Sequence, residues 1–179
     1  RSQELVDGMV ELAALESQRR LPKVEPVGLR PLLEDLVASA QASGAARSIR
    51  VELAPGELAW VEGEAFLLRR AIGNLLANAL DFSPEGGLVR VELLQRSRGV
   101  DIVVRDQGPG IPDYADAREF ENFYSLARPH SNKKSTGLGL PFVKEIAELH
   151  HGRVALRNGD GGGAVATLSL PAIEAPPAA

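Results

Sequence analysis

The stretch Arg69-Arg70-Ala71-Ile72-Gly73-Asn74-Leu75-Leu76-Ala77-Asn78-Ala79-Leu80-Asp81 has apolar residues that recur with the period of an α-helix, and polar residues that recur on the other side. At about 100° per residue, Leu68, Ile72, Leu75, Leu76 and Ala79 share one face, while Arg70, Asn74, Asn78 and Asp81 share the opposite one. Two carboxamides one turn apart thus present their oxygens to a common point. Such oxygens are hard, neutral ligands that suit a Mg²⁺ ion arriving already bound to phosphates. Taken alone, the pattern also describes two asparagines on a solvated helix face.

Around this helix, which the periodicity places over about 64–81, helix and strand signals alternate. Upstream lie a helix over 29–46 and strands around 48–54 and 57–61. Downstream, the Val-rich runs Leu88 to Leu94 and Val100 to Arg105 flank Gln95-Arg96-Ser97-Arg98-Gly99 and read as an antiparallel hairpin. Residues 107–136 form a long Gly-, Pro-, Ser- and Asn-containing stretch, and a loop of that length inside a domain is usually functional or mobile. A helix over 137–150 follows. Strands at 153–158 and 163–170 then turn at Asn158-Gly159-Asp160-Gly161-Gly162-Gly163. The order predicts an α/β (α+β) sandwich, one mixed sheet with helices on one face, rather than a doubly wound parallel sheet. Residues 1–21 place Leu5, Met9 and Leu12 on one stripe of an amphipathic helix, and Pro22 and Pro26 make a short linker after it. The end, residues 172–179, reads as a disordered tail.

Composition narrows the function classes. The chain has 179 residues, 44% of them hydrophobic and 25% charged, which is the balance of a globular domain. The absence of cysteine excludes disulfides and a Cys nucleophile. A net charge of −4 and 4% aromatic residues argue against a nucleic-acid partner. The chain begins without Met inside a helical pattern, from which we expect it to be part of a longer protein.

Two further motifs carry chemistry. Asp106-Gln107-Gly108-Pro109-Gly110-Ile111-Pro112 follows a β-branched strand. An Asp there can accept from an exocyclic amine, and glycines let the backbone approach a flat ring; a plain tight turn is the other reading. Ser135-Thr136-Gly137-Leu138-Gly139-Leu140 opens a helix behind Lys133-Lys134, so free N–H groups and positive charge meet at one helix start, a cradle for phosphate. Neither Gly-X-Gly has the third glycine of a dinucleotide motif, and the P-loop ending is absent.

In order and spacing, Asn74/Asn78, Asp106/Gly108/Gly110, Phe120/Phe123/Tyr124 and Gly137/Gly139 resemble the N, G1, F and G2 boxes of the catalytic ATP-binding domain of bacterial sensor histidine kinases. The phrases NALDFSP, FENFYSLARP and KKSTGLGLPFV look more narrowly like the CreC-type sensor kinases. The resemblance implies a Bergerat ATP-binding fold over 23–171, with an ATP lid at about 107–136. Residues 1–22 would be the end of the second dimerisation helix. It also implies that Asp106 hydrogen-bonds the adenine amine, that Gly108 and Gly110 shape the base pocket together with Ile111, and that Asn74 and Asn78 hold Mg²⁺. Gly137, Leu138 and Gly139, flanked by Thr136 and Leu140, would bind the triphosphate. Tyr124 would pack the lid with Phe120 and Phe123, while Asp81 and Phe82 would border the nucleotide.

The chain departs from the family pattern at two places. Asp81 stands where many members carry a basic residue, and Glu121-Asn122 and Ser125 break the usual Glu-Arg-Phe-Tyr-Arg of the F box. Arg128, Lys133 or Lys134 would then supply the missing positive charge, with Lys134 assigned a catalytic role. An amide at Asn74, where related ATPases place a glutamate, cannot serve as base for water, so the chemistry reads as phosphoryl transfer rather than hydrolysis. The resemblance implies an acceptor histidine on the first dimerisation helix, yet no histidine precedes His130, and His130, His150 and His151 read as structural or surface residues. The partners implied are ATP and ADP, that histidine, a response regulator and a second copy in the full-length protein, the present chain alone being monomeric. The full-length protein would sit in a bacterial inner membrane with this domain on the cytoplasmic side. A nucleotide-sensing module without kinase activity and a serine-directed kinase of the same superfamily are the alternatives.

Overall fold

The helix of the opening motif runs from Ala65 to Phe82, within a residue of its expected bounds. Its start is fixed by Glu64, whose carboxylate accepts from the Leu67 N–H at 2.7 Å. Its end is fixed twice over. The Ser83 hydroxyl and N–H both donate to the Ala79 carbonyl, and the guanidinium of Arg47 donates to the carbonyls of Leu80 and Ser83.

The computed structural model describes residue 21, residues 23–110 and residues 139–178. In chain order these form β1 (Glu25–Gly28), α1 (Leu29–Gly44) closed by a 3₁₀ turn at Ala45–Arg47, β2 (Arg50–Leu53), β3 (Trp60–Gly63) and α2 (Ala65–Phe82). Next come β4 (Leu88–Gln95), β5 (Gly99–Arg105), α3 (Gly139–Leu149), β6 (Arg153–Asn158) and β7 (Ala164–Pro171). The helix expected over 1–21, Leu21 apart, lies outside the described residues. So do the lid from Ile111 onward and the start of the helix expected from 137.

The main sheet has the order β2-β4-β5-β7-β6, with β2 and β4 parallel and every other pair antiparallel, so it is mixed as expected. Its inward rows, among them Val91, Val104, Ala166 and Leu156 in register, meet the helices; Val91, Val104 and Ala166 are buried. Leu29, Leu33, Leu68, Ile72, Leu75, Phe142 and Ile146 fill the layer between, each without solvent exposure. Burial of these faces, worth about 25 cal/mol per Å² of apolar surface, holds the two layers together.

A second, two-stranded sheet differs from the sequence reading. The segment read as a Pro22–Pro26 linker holds β1, which pairs antiparallel with β3 and sets Pro26 opposite Glu62. Proline is tolerated there because β1 has only one neighbour, so its missing N–H breaks no ladder on the outer side. The start of the expected disordered tail is also tied down. Ala172 and Ile173 donate to the carbonyls of Arg98 and Trp60 at 3.2 and 2.9 Å.

Candidate functional site

Asp106 is the first residue after β5 and is 5% exposed. Its backbone N–H continues the ladder to the Ala164 carbonyl, and its Oδ1 accepts from the N–H groups of Gly108 and Ala164 at 2.9 and 3.0 Å. Two backbone donors thus fix the plane of a carboxylate at the end of the sheet. The neighbours must be glycine. A Cβ on Gly108 would stand 2.3 Å from the Phe82 carbonyl oxygen, and one on Gly163 would stand 2.0 Å from the Asp106 carbonyl oxygen. These close approaches bring Phe82, Asp106 and Gly108 together at the C-terminal end of α2. Gly110 follows with φ 68°, packed against Asn158.

The polar face of α2 is not solvated. Asn78 is 1% exposed, and its Nδ2 has no hydrogen-bond partner among the described residues. Asn74 is half-buried one turn earlier, and Asp81 is half-buried in the last turn. The helix α3, which begins with the buried Gly139 and Leu140, packs on α2. The Arg70 guanidinium lies 5.0 Å from the ring centroid of Phe142 in α3 and 5.9 Å from that of Phe66.

A buried carboxamide with an unmade bond carries a desolvation cost, and such a group in a folded protein calls for a ligand. The unmade bond is an N–H donor, which suits an anionic oxygen such as that of a phosphate, while the carboxamide oxygens of Asn78 and Asn74 are the atoms that would suit a hard cation carried on it. Among the described residues no cluster of three or more His, Cys, Asp or Glu gathers to hold a metal by itself. Two surface clefts, of about 560 and 460 Å³, flank the β4–β5 hairpin at the far end of β5 from Asp106 and contain none of these residues.

Of the residues expected to form the site, the structure therefore gathers Phe82, Asp106, Gly108 and Gly110 at one end of α2. It sets Asn74 and Asn78 on one face of α2, the face from which Arg70 reaches Phe142 of α3. Ile111, Tyr124, Lys134, Thr136, Gly137 and Leu138 lie outside the described residues. Sequence reasoning missed Gly163 and Ala164, whose only signal was the glycine run Gly161-Gly162-Gly163. His150 is a structural residue: its Nδ1 bonds the Ile146 carbonyl at 2.7 Å and its Nε2 accepts from the Glu64 N–H at 3.0 Å. Burial pushes the imidazole below its ordinary pKa, against the opposing pull of the Ile146 carbonyl and the Glu64 charge.

Known proteins share this fold. The chain is 40% identical over 170 residues to the sensor protein CreC of Escherichia coli (strain K12), covering 95% of this chain and 35% of that protein. This agrees with the narrower likeness read from NALDFSP and KKSTGLGLPFV. The chain thus spans about a third of the length of that relative. The mycobacterial sensor histidine kinase MprB superposes with a TM-score of 0.69 at 28% identity, over 84% of this chain and 98% of that one. Full-length ShkA in complex with AMPPNP superposes with a TM-score of 0.79 at 25% identity, over 96% and 36%. Among the described residues no helix is long and apolar enough to cross a membrane. With residues 63–174 matching the model of the histidine kinase-, DNA gyrase B- and HSP90-like ATPases, the chain belongs to that ATP-binding family.

Proposed function

We propose that this chain is the catalytic, ATP-binding domain of a two-component sensor histidine kinase, which passes the γ-phosphoryl group of ATP to a histidine on a dimerisation helix. The observation that carries the reading is the buried Asn78 carboxamide with its unpartnered amide, on a helix whose far end is fitted against the Asp106–Gly108 turn. ATP is the substrate that suits such a site. Asp106, held by two backbone N–H groups, accepts from the adenine amine, and Gly108 leaves room for the ring. Asn74 and Asn78 would hold Mg²⁺, which would neutralise charge on the phosphates. Neither amide can take a proton from water at neutral pH, whereas a neutral imidazole nucleophile needs no such base. Gly139 and Leu140 start the helix that faces the phosphates, and Lys134 supplies further positive charge. Positioning and electrostatics are what phosphoryl transfer demands of a protein.

The acceptor histidine belongs to the longer protein, which would be a membrane-anchored homodimer with this domain on the cytoplasmic side and a response-regulator aspartate as the final acceptor. The test has two parts. Calorimetric titration of the chain with ATP and ADP, with and without Mg²⁺, is expected to show binding tightened by the metal. Labelled ATP is expected to leave acid-labile phosphate on the full-length protein and none on this chain alone. ATP binding without any labelling of the full-length protein would make the domain a nucleotide sensor instead.

A further inference from the structure

The polar stripe of α2 does not end at Asn74. Arg70 lies one helical turn before Asn74 and two before Asn78, so its side chain leaves the helix on the same face. Its guanidinium sits 5.0 Å over the ring of Phe142, which is fully buried and three residues after Gly139, the first residue described in α3. The contact is therefore made between the helix that carries the two asparagines and the first turn of the helix that faces the phosphates. The apolar faces of α2 and α3, which supply Ile72 and Ile146 to the core, pack together, and their interdigitation limits how far one helix can slide on the other. Those contacts are many and individually weak. A planar cation on an aromatic face is directional. It ties Phe142 to the position of Arg70 on α2, one helical turn before Asn74.

We infer that Arg70 is a positioning residue for the phosphate half of the site: by clamping Phe142 it sets the separation between the Asn74/Asn78 face and the start of α3. The inference rests on the nucleotide-binding reading above. It concerns the phosphates, because the bonds and close approaches that orient Asp106, Gly108 and Phe82 come from the other end of α2, from β5 and from β7.

The test compares nucleotides that differ in their phosphates. Arg70→Gln in the full 179-residue chain is titrated with adenosine, ADP and ATP in Mg²⁺. Losing a clamp of this kind is expected to weaken ADP and ATP about 3- to 30-fold while leaving adenosine within about twofold. Arg70→Lys, which keeps the charge over the ring without the planar fork, is expected to recover part of the loss. A thermal melt without nucleotide checks that both variants fold. Equal weakening of all three ligands, or of none, would overturn the role of Arg70 while leaving the nucleotide site standing. Failure of the parent chain to bind any of the three would instead overturn the site itself, and the inference with it.

Discussion

Replacing Asp106 separates what the carboxylate does for the fold from what it does for the ligand. Its Oδ1 accepts from two backbone N–H groups, Gly108 at 2.9 Å and Ala164 at 3.0 Å, in a residue 5% exposed. Asp106→Ala leaves both donors without that acceptor. At about 1–3 kcal/mol for a buried donor left unmade, partly relieved by water, the loss should total about 2–4 kcal/mol. For a domain of this size that lowers Tm by roughly 5–15 °C. Asp106→Asn keeps an oxygen where Oδ1 stands and should remain within about 1 kcal/mol of the parent. It replaces an acceptor by an N–H₂ donor on the other side of the group, however, and an amine cannot accept from the adenine amine. ATP affinity should then fall about 10- to 100-fold in the Asn variant. The preference for ATP over inosine triphosphate, which offers a carbonyl in place of that amine, should narrow or reverse. The assays are thermal denaturation without ligand and calorimetric titration with the two nucleotides. An Asn variant that binds ATP as the parent does would remove Asp106 from the base pocket. An Ala variant that melts with the parent would show that the two N–H bonds do not anchor the turn.

Three other outcomes are expected. Asn78→Ala should abolish the tightening of ATP by Mg²⁺ yet leave the unliganded chain within about 1 kcal/mol of the parent or above it, because the Nδ2 it removes is buried with no partner among the described residues; a large drop in Tm would show a structural bond instead. His150 is held below its ordinary pKa of 6.5 by burial, so on acidification the unfolded chain takes up a proton that the folded chain refuses. That contribution to stability is complete above 6.5 and is lost as the pH falls below it, so urea denaturation at about pH 8 and pH 5.5 should show a steeper loss in the parent than in His150→Gln. Equal losses would mean that His150 is not the group titrating. Gly108→Ala, with its new Cβ 2.3 Å from the Phe82 carbonyl, should cost about 1–3 kcal/mol and weaken ATP, whereas Gly161→Ala, with no atom within 4 Å, should do neither in the same melts and titrations.

The elements with strong periodicity were legible from the chain itself. The α2 stripe, the β4–β5 hairpin and the β6–β7 pair all fall within about two residues of their expected bounds, since each pattern is local. The strand β1 was not legible, because two prolines in five residues read as a break and only Val27 of its four residues is buried. At the site, the types of Asn78 and Asp106 were legible and their surroundings were not. The contact of Arg70, on the same face, with Phe142 more than 60 residues later is invisible to local spacing. The part played by Gly163 was hidden for a similar reason. A run of three glycines announces a turn, but only the packing against the Asp106 carbonyl says which of them must lack a side chain.

The pairing of β5 with β7 bears on how this domain can vary. Arg105 is fixed opposite Val165, Asp106 is bonded to Ala164, and Gly139 is buried at the start of α3, so both ends of the chain between Gly110 and Gly139 are anchored in the frame. The 28 residues from 111 to 138 therefore bridge two fixed posts. The entropy of closing such a bridge grows only as the logarithm of its length, about 0.6 kcal/mol for each doubling. A change in the number of residues between the two posts, outside the motifs assigned to the nucleotide, is thus expected to cost the frame less than the loss of a single buried leucine. The frame that orients Asp106 is anchored on both sides of that segment by contacts of its own, so insertions or deletions between the posts are expected to leave the fold standing.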